Sequence, residues 1–338
     1  MKIDIILEAG LPAGRIEALG QLAERHGIQT LWVSSFPSRR DPVPMLALLS
    51  RCTSRIRLGT LPMSPYEVHP LRMADGLLTL NELSGGRANL LVGGLGHSVG
   101  RVTGLEPRRR VTAVGDAIRI LKGIRPDAML DYEGETYSLR NYQPEWATGS
   151  PPRIYAGATF PKMMRMAAQY ADGAMMSDVP MQRMPDVRGW IAEGLAKAGR
   201  RRADFRLNNF VAWHVKADRQ KAVAEARREL IWRGLLMPWF TELFLDPADA
   251  AMVEAKRPAF LQAFLSRTPH IEGVPESVIA KLVDNMTLTG DPTDMDRIVR
   301  HLAELEAAGL DEVALRLHDE PEEALGIIGE RLVPALAR

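Results

Sequence analysis

Cysteine is nearly absent from this chain, since position 52 holds the only one among 338 residues. A lone cysteine forms no disulfide within the chain, which makes the cytoplasm the simplest location. An excess of charge is absent too, because 43 basic and 42 acidic side chains leave a formal net charge of +1. Nonspecific nucleic-acid binding needs several cations on one face, so we expect no nucleic-acid partner.

Long apolar runs are also missing, and none approaches the roughly 20 residues that a membrane span requires. We therefore expect no membrane partner. Hydrophobic residues make up 46% of the chain and charged residues 25%, which is typical of a globular protein. The length allows two domains, but one α/β barrel of about 250 residues with an insertion explains it as well.

Strand-like and helix-like patterns alternate along the chain. Eight short apolar segments have the composition of buried parallel strands. They lie at about 3–8, 30–34, 55–61, 88–92, 153–157, 173–177, 210–215 and 313–317. This order predicts an α/β fold with helices outside parallel strands, in a closed barrel or a doubly wound sheet. The count of eight favours a (β/α)8 TIM barrel, with one domain over 1–338 and a mainly helical insertion at about 221–285 after strand 7.

Glycines follow two of the predicted strands, at the end where barrel enzymes place their chemistry. Gly94 and Gly96 follow strand 4, and glycines let a ligand approach the backbone closely. Gly157, Ala158 and Thr159 follow strand 5 and lead into a helix whose first amides could hold a phosphate. A plain tight turn explains the same three residues, so both interpretations stay open on this pattern alone.

Other classes of site lack their motifs. The chain has no Walker loop, no Gly-x-Gly-x-x-Gly followed by an acid, and no Gly-x-Ser-x-Gly nucleophile turn. Histidines and carboxylates are not clustered at metal-ligand spacing, which argues against a metal site. A glycine-lined, weakly polar cleft with a few histidines remains, and it is typical of enzymes whose cofactor carries the chemistry.

Several short motifs, weak one by one, occur together and in order. They lie at 58–70, 83–87, 94–96, 104–105, 116–118, 132–137, 152–158, 171–173, 289–292 and 308–311. The set resembles the luciferase-like family of flavin- and deazaflavin-dependent oxidoreductases. The segment 94–118 resembles the methylenetetrahydromethanopterin reductases of that family in particular. The resemblance implies a barrel enzyme, coenzyme F420 or FMN as cofactor, a small-molecule substrate and a homodimer.

The resemblance also implies roles for individual residues. A cis peptide bond at Leu61-Pro62 would lie in a bulge that ends strand 3 and supports the cofactor ring. A cis bond before proline costs only about 0.5–1 kcal/mol, although an ordinary trans bond is the alternative. Further cofactor contacts are implied for Ser35, Gly94 and Gly96 near the ring and for Gly157, Ala158 and Thr159 at the phosphate.

The chain departs from the family at two strand ends. Ser35-Phe36 stand at the end of strand 2, where the family often has an Asp-His or Glu-His pair. His97 follows the strand-4 glycines, where some deazaflavin enzymes have an acidic proton donor. A histidine can do acid–base work near neutral pH, which makes His97 the candidate catalytic residue, and an inert hydrogen-bonding role explains it equally well. His214 and His318 are better explained as satisfied histidines of the barrel or its rim.

Two functions from different classes fit these observations. The first is an oxidoreductase that transfers a hydride to, or monooxygenates, a small organic substrate, and the segment 94–118 favours F420 slightly over FMN. The second is a barrel that binds a flavin-like ligand or a partner without turnover, which the missing strand-2 pair would suit. The run Arg108-Arg109-Arg110 is either a solvated face or a contact for the anionic tail of a deazaflavin, and a cationic helix start favours a nearby anion in both cases.

Overall fold

Eight parallel strands close into a barrel in the computed structural model, which describes residues 1–336 apart from the side chain of residue 97. The strands are β1 (Lys2–Leu7), β2 (Thr30–Ser34), β3 (Arg57–Met63), β4 (Ala88–Val92), β5 (Leu130–Glu133), β6 (Ser138–Tyr142), β7 (Arg153–Gly157), β8 (Gly173–Ser177), β9 (Arg206–Val215), β10 (Thr287–Gly290) and β11 (Glu312–Arg316). The ring runs β1, β2, β3, β4, β7, β8, β9, β11 and back to β1, with parallel pairing throughout. The predicted (β/α)8 fold is therefore confirmed.

Helices occupy the connections and pack outside the ring. They are α1 (Ala13–Arg25), α2 (Pro42–Cys52), α3 (Pro70–Leu83), α4 (His97–Thr103), α5 (Arg110–Gly123), α6 (Pro161–Tyr170), α7 (Met184–Lys197), α8 (Arg219–Glu229), α9 (Pro238–Thr241), α10 (Pro247–Ala255), α11 (Arg257–Leu265), α12 (Glu276–Met286), α13 (Met295–Ala307), α14 (Pro321–Ile327) and α15 (Val333–Leu336). Proline occupies the first position of α2, α3 and α6, where the helix needs no amide donor. No helix within residues 1–336 is both long and apolar enough to cross a membrane.

The inside of the ring is filled by side chains. The inner cluster consists of Ile6, Trp32, Leu61, Leu91, Tyr155, Met175 and Ala314, with the half-buried Phe210 packed against it. Trp32 and Tyr155 meet edge to face, with ring centroids 5.5 Å apart. Gly59 makes room for the indole, because a β-carbon there would lie 2.2 Å from a Trp32 ring carbon. Since the interior is filled, a ligand site has to lie at an end of the barrel.

A polar network closes the end at which the strands begin. Asp4 Oδ2 accepts hydrogen bonds from Trp32 Nε1 at 3.0 Å and from Asn208 Nδ2 at 2.8 Å. Glu312 Oε2 accepts from the Tyr155 hydroxyl at 3.0 Å and from Asn208 at 3.3 Å. Burial, together with the nearby charge of Glu312, raises the pKa of Asp4 well above its ordinary value. This floor leaves the opposite end, the mouth, as the place for a site.

The chain between β9 and β10 is almost entirely helical. It contains α8 to α12 and two 3-10 turns, at Leu230–Trp232 and Gly234–Leu236. β10 then pairs with the outer part of β9, with Thr287 opposite Ala212. The sequence pattern did not predict β10, because four residues carry too little alternation to be distinguished from a loop. The motif at 132–137 lies at the turn of the antiparallel pair β5–β6.

Candidate functional site

A β-bulge ends β3 at the mouth of the barrel. Thr60 lies opposite Leu90 and Met63 lies opposite Val92, so β3 has one residue more than β4 in this stretch. The side chain of Leu61 is buried in the inner cluster, whereas Pro62 is exposed. Leu61 and Pro62 therefore form the bulge that the resemblance implied at the end of strand 3.

The predicted cis bond within this bulge is wrong. The Leu61-Pro62 bond is trans, since residues 1–336 contain no cis peptide bond. The bulge takes up the extra residue with ordinary trans geometry, and the trans form is favoured by about 0.5–1 kcal/mol where nothing forces the alternative. Pro62 packs against Gly93 instead, where a β-carbon would lie 2.7 Å from the proline Cβ. We call this pair the platform.

The loop after β4 is lined by backbone rather than by side chains. Gly94 lies beside α5 and α6, where a β-carbon would be 3.4 Å from Arg110 Cβ and 3.5 Å from Met163 Cε. Gly96 is exposed, with nothing within 4 Å of an added β-carbon. Leu95 has a φ of +65° and a buried side chain that fixes the loop. Sequence reasoning chose Gly94 and Gly96 and missed Gly93, which packs most tightly.

The loop after β7 offers hydrogen-bond donors to an anion. Thr159 Oγ1 accepts from the amide of Ser177 at 3.2 Å, which leaves its hydroxyl hydrogen free to donate. In α6 the amide of Met164 makes the first bond to Phe160 at 2.9 Å, so the two amides before it, at 162 and 163, have no partner within the helix. These donors fit a phosphate.

The three predicted phosphate-loop residues differ in what they can contribute. Ala158 is buried and its amide donates to Met175 O at 3.0 Å, so it shapes the loop without offering a donor. Gly157 lies beside β4, with an added β-carbon 3.6 Å from Val92 O. Thr159 alone of the three presents a side-chain hydroxyl at the start of α6.

A carboxylate and an arginine form the polar group where β1, β2 and β11 end. Glu8 Oε2 accepts from Ser34 Oγ at 3.2 Å, and Glu8 Oε1 lies 2.6 Å from a terminal nitrogen of Arg316. The next residue along, Ser35, donates its amide to Leu61 O at 2.7 Å and so ties β2 to the bulge. Glu8 was missed although it is the last residue of the first predicted strand, and attention to that strand end would have found it.

The helical segment after β9 contributes a second, fully buried arginine. Arg233 Nη1 pairs with Asp178 Oδ1 at 2.9 Å, and the amide of Gly234 donates to Asp178 Oδ2 at 3.1 Å. Burial lowers the pKa of Arg233, and the charge of Asp178 opposes that effect. The guanidinium carbons of Arg233 and Arg316 lie 5.4 and 5.7 Å from the ring centre of Phe210. Two cations therefore lie directly over the filled barrel.

His214 and His318 stack beside these arginines, with ring centroids 4.6 Å apart and planes tilted by 19°. His214 Nδ1 contacts Glu225 Oε2 at 2.7 Å, but neither Nε2 has a partner among the described residues. Burial lowers the pKa of His214 despite Glu225, and burial and the nearby cations lower that of His318 further. These shifts favour the neutral form of both rings. The expected satisfied histidines are found only in part, because His214 Nδ1 has Glu225, whereas His318 Nδ1 lies 3.9 Å from Glu229 Oε2.

Two further predicted features lie near the loop after β4. His97 is the first residue of α4, and its side chain lies outside the described residues. The three arginines at 108–110 are exposed, and α5 begins at Arg110. Arg109 forms an ion pair with Glu135, which supplies the anion that a cationic helix start favours.

The mouth thus joins a loop with free hydrogen-bond donors and a backbone platform to a wall of charged side chains, in a fold whose chemistry lies at this end. A model of the luciferase-like monooxygenase family matches residues 2–312. The chain is 28% identical to 5,10-methylenetetrahydromethanopterin reductase of Archaeoglobus fulgidus, covering 99% of this chain and 100% of the relative. It is 26% identical to F420-dependent glucose-6-phosphate dehydrogenase of Nakamurella multipartita, covering 94% and 91%.

Solved structures agree on the fold. F420-dependent tetrahydromethanopterin reductase from Methanopyrus kandleri superposes with a TM-score of 0.79 at 22% identity, covering 98% of each chain. The FMN-bound oxygenating constituent of 3,6-diketocamphane monooxygenase from Pseudomonas putida gives 0.66 at 16% identity, covering 99% and 98%. Fold and site define a barrel oxidoreductase that works with a reduced F420 or FMN, as the sequence predicted. The chain belongs to the luciferase-like monooxygenase family.

Proposed function

We propose that this protein is an F420-dependent oxidoreductase that exchanges a hydride with a small organic substrate. The match to the Archaeoglobus fulgidus methylenetetrahydromethanopterin reductase over nearly the full length of both chains carries the choice of F420 over FMN, because the Methanopyrus kandleri tetrahydromethanopterin reductase is described as F420-dependent. The name of the Nakamurella multipartita relative, an F420-dependent dehydrogenase, supports the same choice. The two relatives act on different substrates, so this comparison does not select one.

The residues of the mouth fit such a cofactor. Pro62 and Gly94 would contact the ring, with Gly93 holding the proline in place. Thr159 and the amides at 162 and 163 would hold the phosphate, because they are the donors that the end of β7 leaves free. Bound F420 would supply hydride transfer, the redox chemistry that no side chain of this site provides.

The chain itself would position the substrate, handle the proton and exclude water. We propose that His97 donates or accepts the proton in the reaction. It directly follows the glycine loop, and histidine is suited to acid–base work near neutral pH. Glu8 is the carboxylate at the mouth, and its hydrogen bond from Ser34 and ion pair with Arg316 fix its orientation. Trp232 and Trp239 lie in the same part of the helical insertion as Arg233.

Binding of the cofactor tests this proposal directly. Titration of the purified protein with F420 and with FMN, followed by fluorescence, should give a micromolar or lower Kd for F420 and a higher one for FMN. Thr159→Val removes the hydroxyl donor at nearly constant volume and should weaken F420 binding about tenfold, the value of one charge-assisted hydrogen bond. Thr148→Val, at an exposed position before β7, is the matched control. Binding of neither cofactor would contradict the proposal.

A barrel without turnover is the alternative, and Ser35-Phe36 at the end of β2 favours it, since Phe36 is exposed and carries no polar group. The carboxylate of Glu8 at the neighbouring strand end supports the enzyme instead, because it supplies a polar group at the same rim. Micromolar F420 binding without reduction or oxidation of any alcohol, aldehyde or imine tested would favour the alternative.

We also propose a homodimer formed by α2 and α3. A groove of about 270 Å³ lies between these helices, lined by Ala47, Gly76 and Leu83 among others. Leu83 and Leu48 are large apolar side chains exposed on the same two helices. Leu83→Glu should convert the dimer to a monomer in light scattering, while Leu265→Glu on α11 should not. A cytoplasmic location and the lack of a nucleic-acid partner stay predictions from composition.

A further inference from the structure

Arg233 is fully buried and uses only part of its hydrogen-bonding capacity. Its Nη1 pairs with Asp178, whereas Nε and Nη2 have no hydrogen-bond partner among the described residues. Nε and Nη2 form the edge of a guanidinium that donates two parallel hydrogen bonds to a carboxylate or phosphate. A buried donor without an acceptor is costly, so an edge of this kind is suited to binding an oxyanion.

Further unpartnered donors lie near this edge. Arg316 lies against the same phenyl ring, and its Nε also has no partner among residues of the described chain. Three carboxylates lie nearby and each already has a cationic partner: Asp178 pairs with Arg233, Glu8 with Arg316, and Glu229 with Arg228. An incoming anion therefore meets two cations whose own partners leave part of each guanidinium open.

The position of the two arginines points to the substrate rather than the cofactor. In the ring of eight strands, β9 and β11 lie four places from β3 and β4, so they face them across the mouth. Phe210 lies on β9 and Arg316 ends β11, whereas the platform lies at the ends of β3 and β4. A molecule bound by these arginines would lie opposite the cofactor ring, where a substrate has to be.

We propose that the Nε–Nη2 edge of Arg233, together with Arg316, forms a subsite for a carboxylate or phosphate group of the substrate. This inference rests on the proposed function, because it deepens the description of the same site. It restricts the substrate class to organic anions. Arginine is suited to the task because its planar fork holds a two-oxygen group in one orientation, which a lysine cannot do.

Access to the subsite requires movement of residues 230–241, which we call the strap. Gly234, Leu235 and Leu236 all have φ between +51° and +54°, a left-handed run that is unfavourable for the two leucines. The far end of the strap is held by Trp239, whose ring contacts Phe160 with centroids 4.9 Å apart. Release of this backbone strain would offset part of the cost of opening the packed segment, which would expose Arg233 to a ligand.

Binding of simple anions tests the subsite without cofactor or turnover. The thermal midpoint and the tryptophan fluorescence of the full chain are followed against inorganic phosphate and, separately, succinate, with sodium chloride at equal ionic strength as reference. The wild type should be stabilised by at least one of the two oxyanions and not by chloride. Arg233→Lys keeps a cation for Asp178 but removes the Nε–Nη2 edge. It should raise the Kd of the stabilising oxyanion about tenfold. Arg201→Lys, an exposed arginine paired with Asp204, is the matched control.

Two results would overturn the proposal. The first is a wild type that responds to neither oxyanion more than to chloride. The second is an equal response of Arg233→Lys and wild type, which would place the anion at the start of α6. Arg316→Lys supplies a second variant should Arg233→Lys fail to fold. F420 titrations of the same variants separate the two proposals. Loss of oxyanion binding with an unchanged F420 Kd supports the subsite, and a parallel loss of F420 assigns the arginines to the cofactor and overturns it. Arginine-dependent oxyanion binding without any F420 binding supports the subsite and contradicts the cofactor.

Discussion

Pro62 rests on Gly93 so closely that a β-carbon at position 93 would come within 2.7 Å of the proline Cβ. Contacts under 3.0 Å between such atoms force a shift, so Gly93→Ala should displace Pro62. We expect the F420 Kd to rise about tenfold, equivalent to about 1.4 kcal/mol, while the fold is retained. Gly96→Ala is the control, because nothing lies within 4 Å of a β-carbon there. Fluorescence titration of both variants with F420 measures this effect. An unchanged Kd in Gly93→Ala would show that the platform does not contact the ring.

The ion pair between Glu8 and Arg316 predicts that loss of the Glu8 charge strengthens anion binding. Glu8→Gln keeps an acceptor for Ser34 but removes the charge that neutralises Arg316 at 2.6 Å. We expect inorganic phosphate to bind about threefold more tightly in this variant, a modest change for one partly screened charge. Glu193→Gln, which removes an exposed partner of Arg165, should leave the phosphate Kd unchanged. Weaker phosphate binding in Glu8→Gln would contradict the arrangement.

The cofactor side of the mouth was predictable from the sequence, and the opposite wall was not. Gly94, Gly96 and Thr159 directly follow apolar runs, so the strand-end rule finds them from local pattern. Arg316 and Glu8 come from opposite ends of the chain and meet only because β11 pairs with β1. No local pattern encodes that contact.

Arg233 was hidden for a different reason. It stands in a segment rich in tryptophan and leucine that the sequence indicates only as part of a mainly helical insertion. Its burial follows from the pairing with Asp178, at the end of β8, which depends on the path of the strap. The cis bond was predicted wrongly because family resemblance transfers the position of the bulge, whereas the peptide geometry depends on local packing such as that of Pro62 on Gly93.

Within the strap, Gly234 is the position where we expect a substitution to destabilise the fold. This residue has a φ of +54°, and a β-carbon would lie 2.6 Å from the ring of Phe240. Gly234→Ala should therefore lower the free energy of unfolding by about 1–3 kcal/mol and increase quenching of tryptophan fluorescence by iodide. Gly189→Ala in α7 meets nothing within 4 Å and should be neutral or slightly stabilising. Equal stability of the two variants would argue against a tightly packed strap.

His97 predicts a pH dependence that separates catalysis from structure. A histidine that donates a proton loses this ability as pH rises from mildly acidic to mildly alkaline values. The turnover of the wild type should fall across this range, whereas that of His97→Gln should be low and flat. Its F420 Kd should stay within about twofold, since glutamine keeps a polar side chain of similar length. An unchanged pH profile in the variant would assign His97 an inert role.

Asp4 predicts how stability depends on pH. Burial and the charge of Glu312 raise the pKa of Asp4 well above that of an unfolded aspartate. The folded chain therefore keeps a proton that the unfolded chain releases near pH 4, so this contribution to stability is present at low pH and is lost as pH rises towards the raised pKa. Within this window the free energy of unfolding should fall by about 1.4 kcal/mol per pH unit.

Asp4→Asn removes this titration and keeps an oxygen that can accept from Trp32 Nε1 and Asn208 Nδ2. Its stability relative to the wild type should therefore increase with pH, as measured by urea unfolding at intervals from about pH 5 to about pH 8. Subtracting the two curves cancels the other titrating groups. Asp127→Asn, at an exposed position, should follow the wild-type curve throughout. A difference between Asp4→Asn and wild type that does not change with pH would mean that Asp4 is already ionised in the folded barrel, held by its two hydrogen bonds.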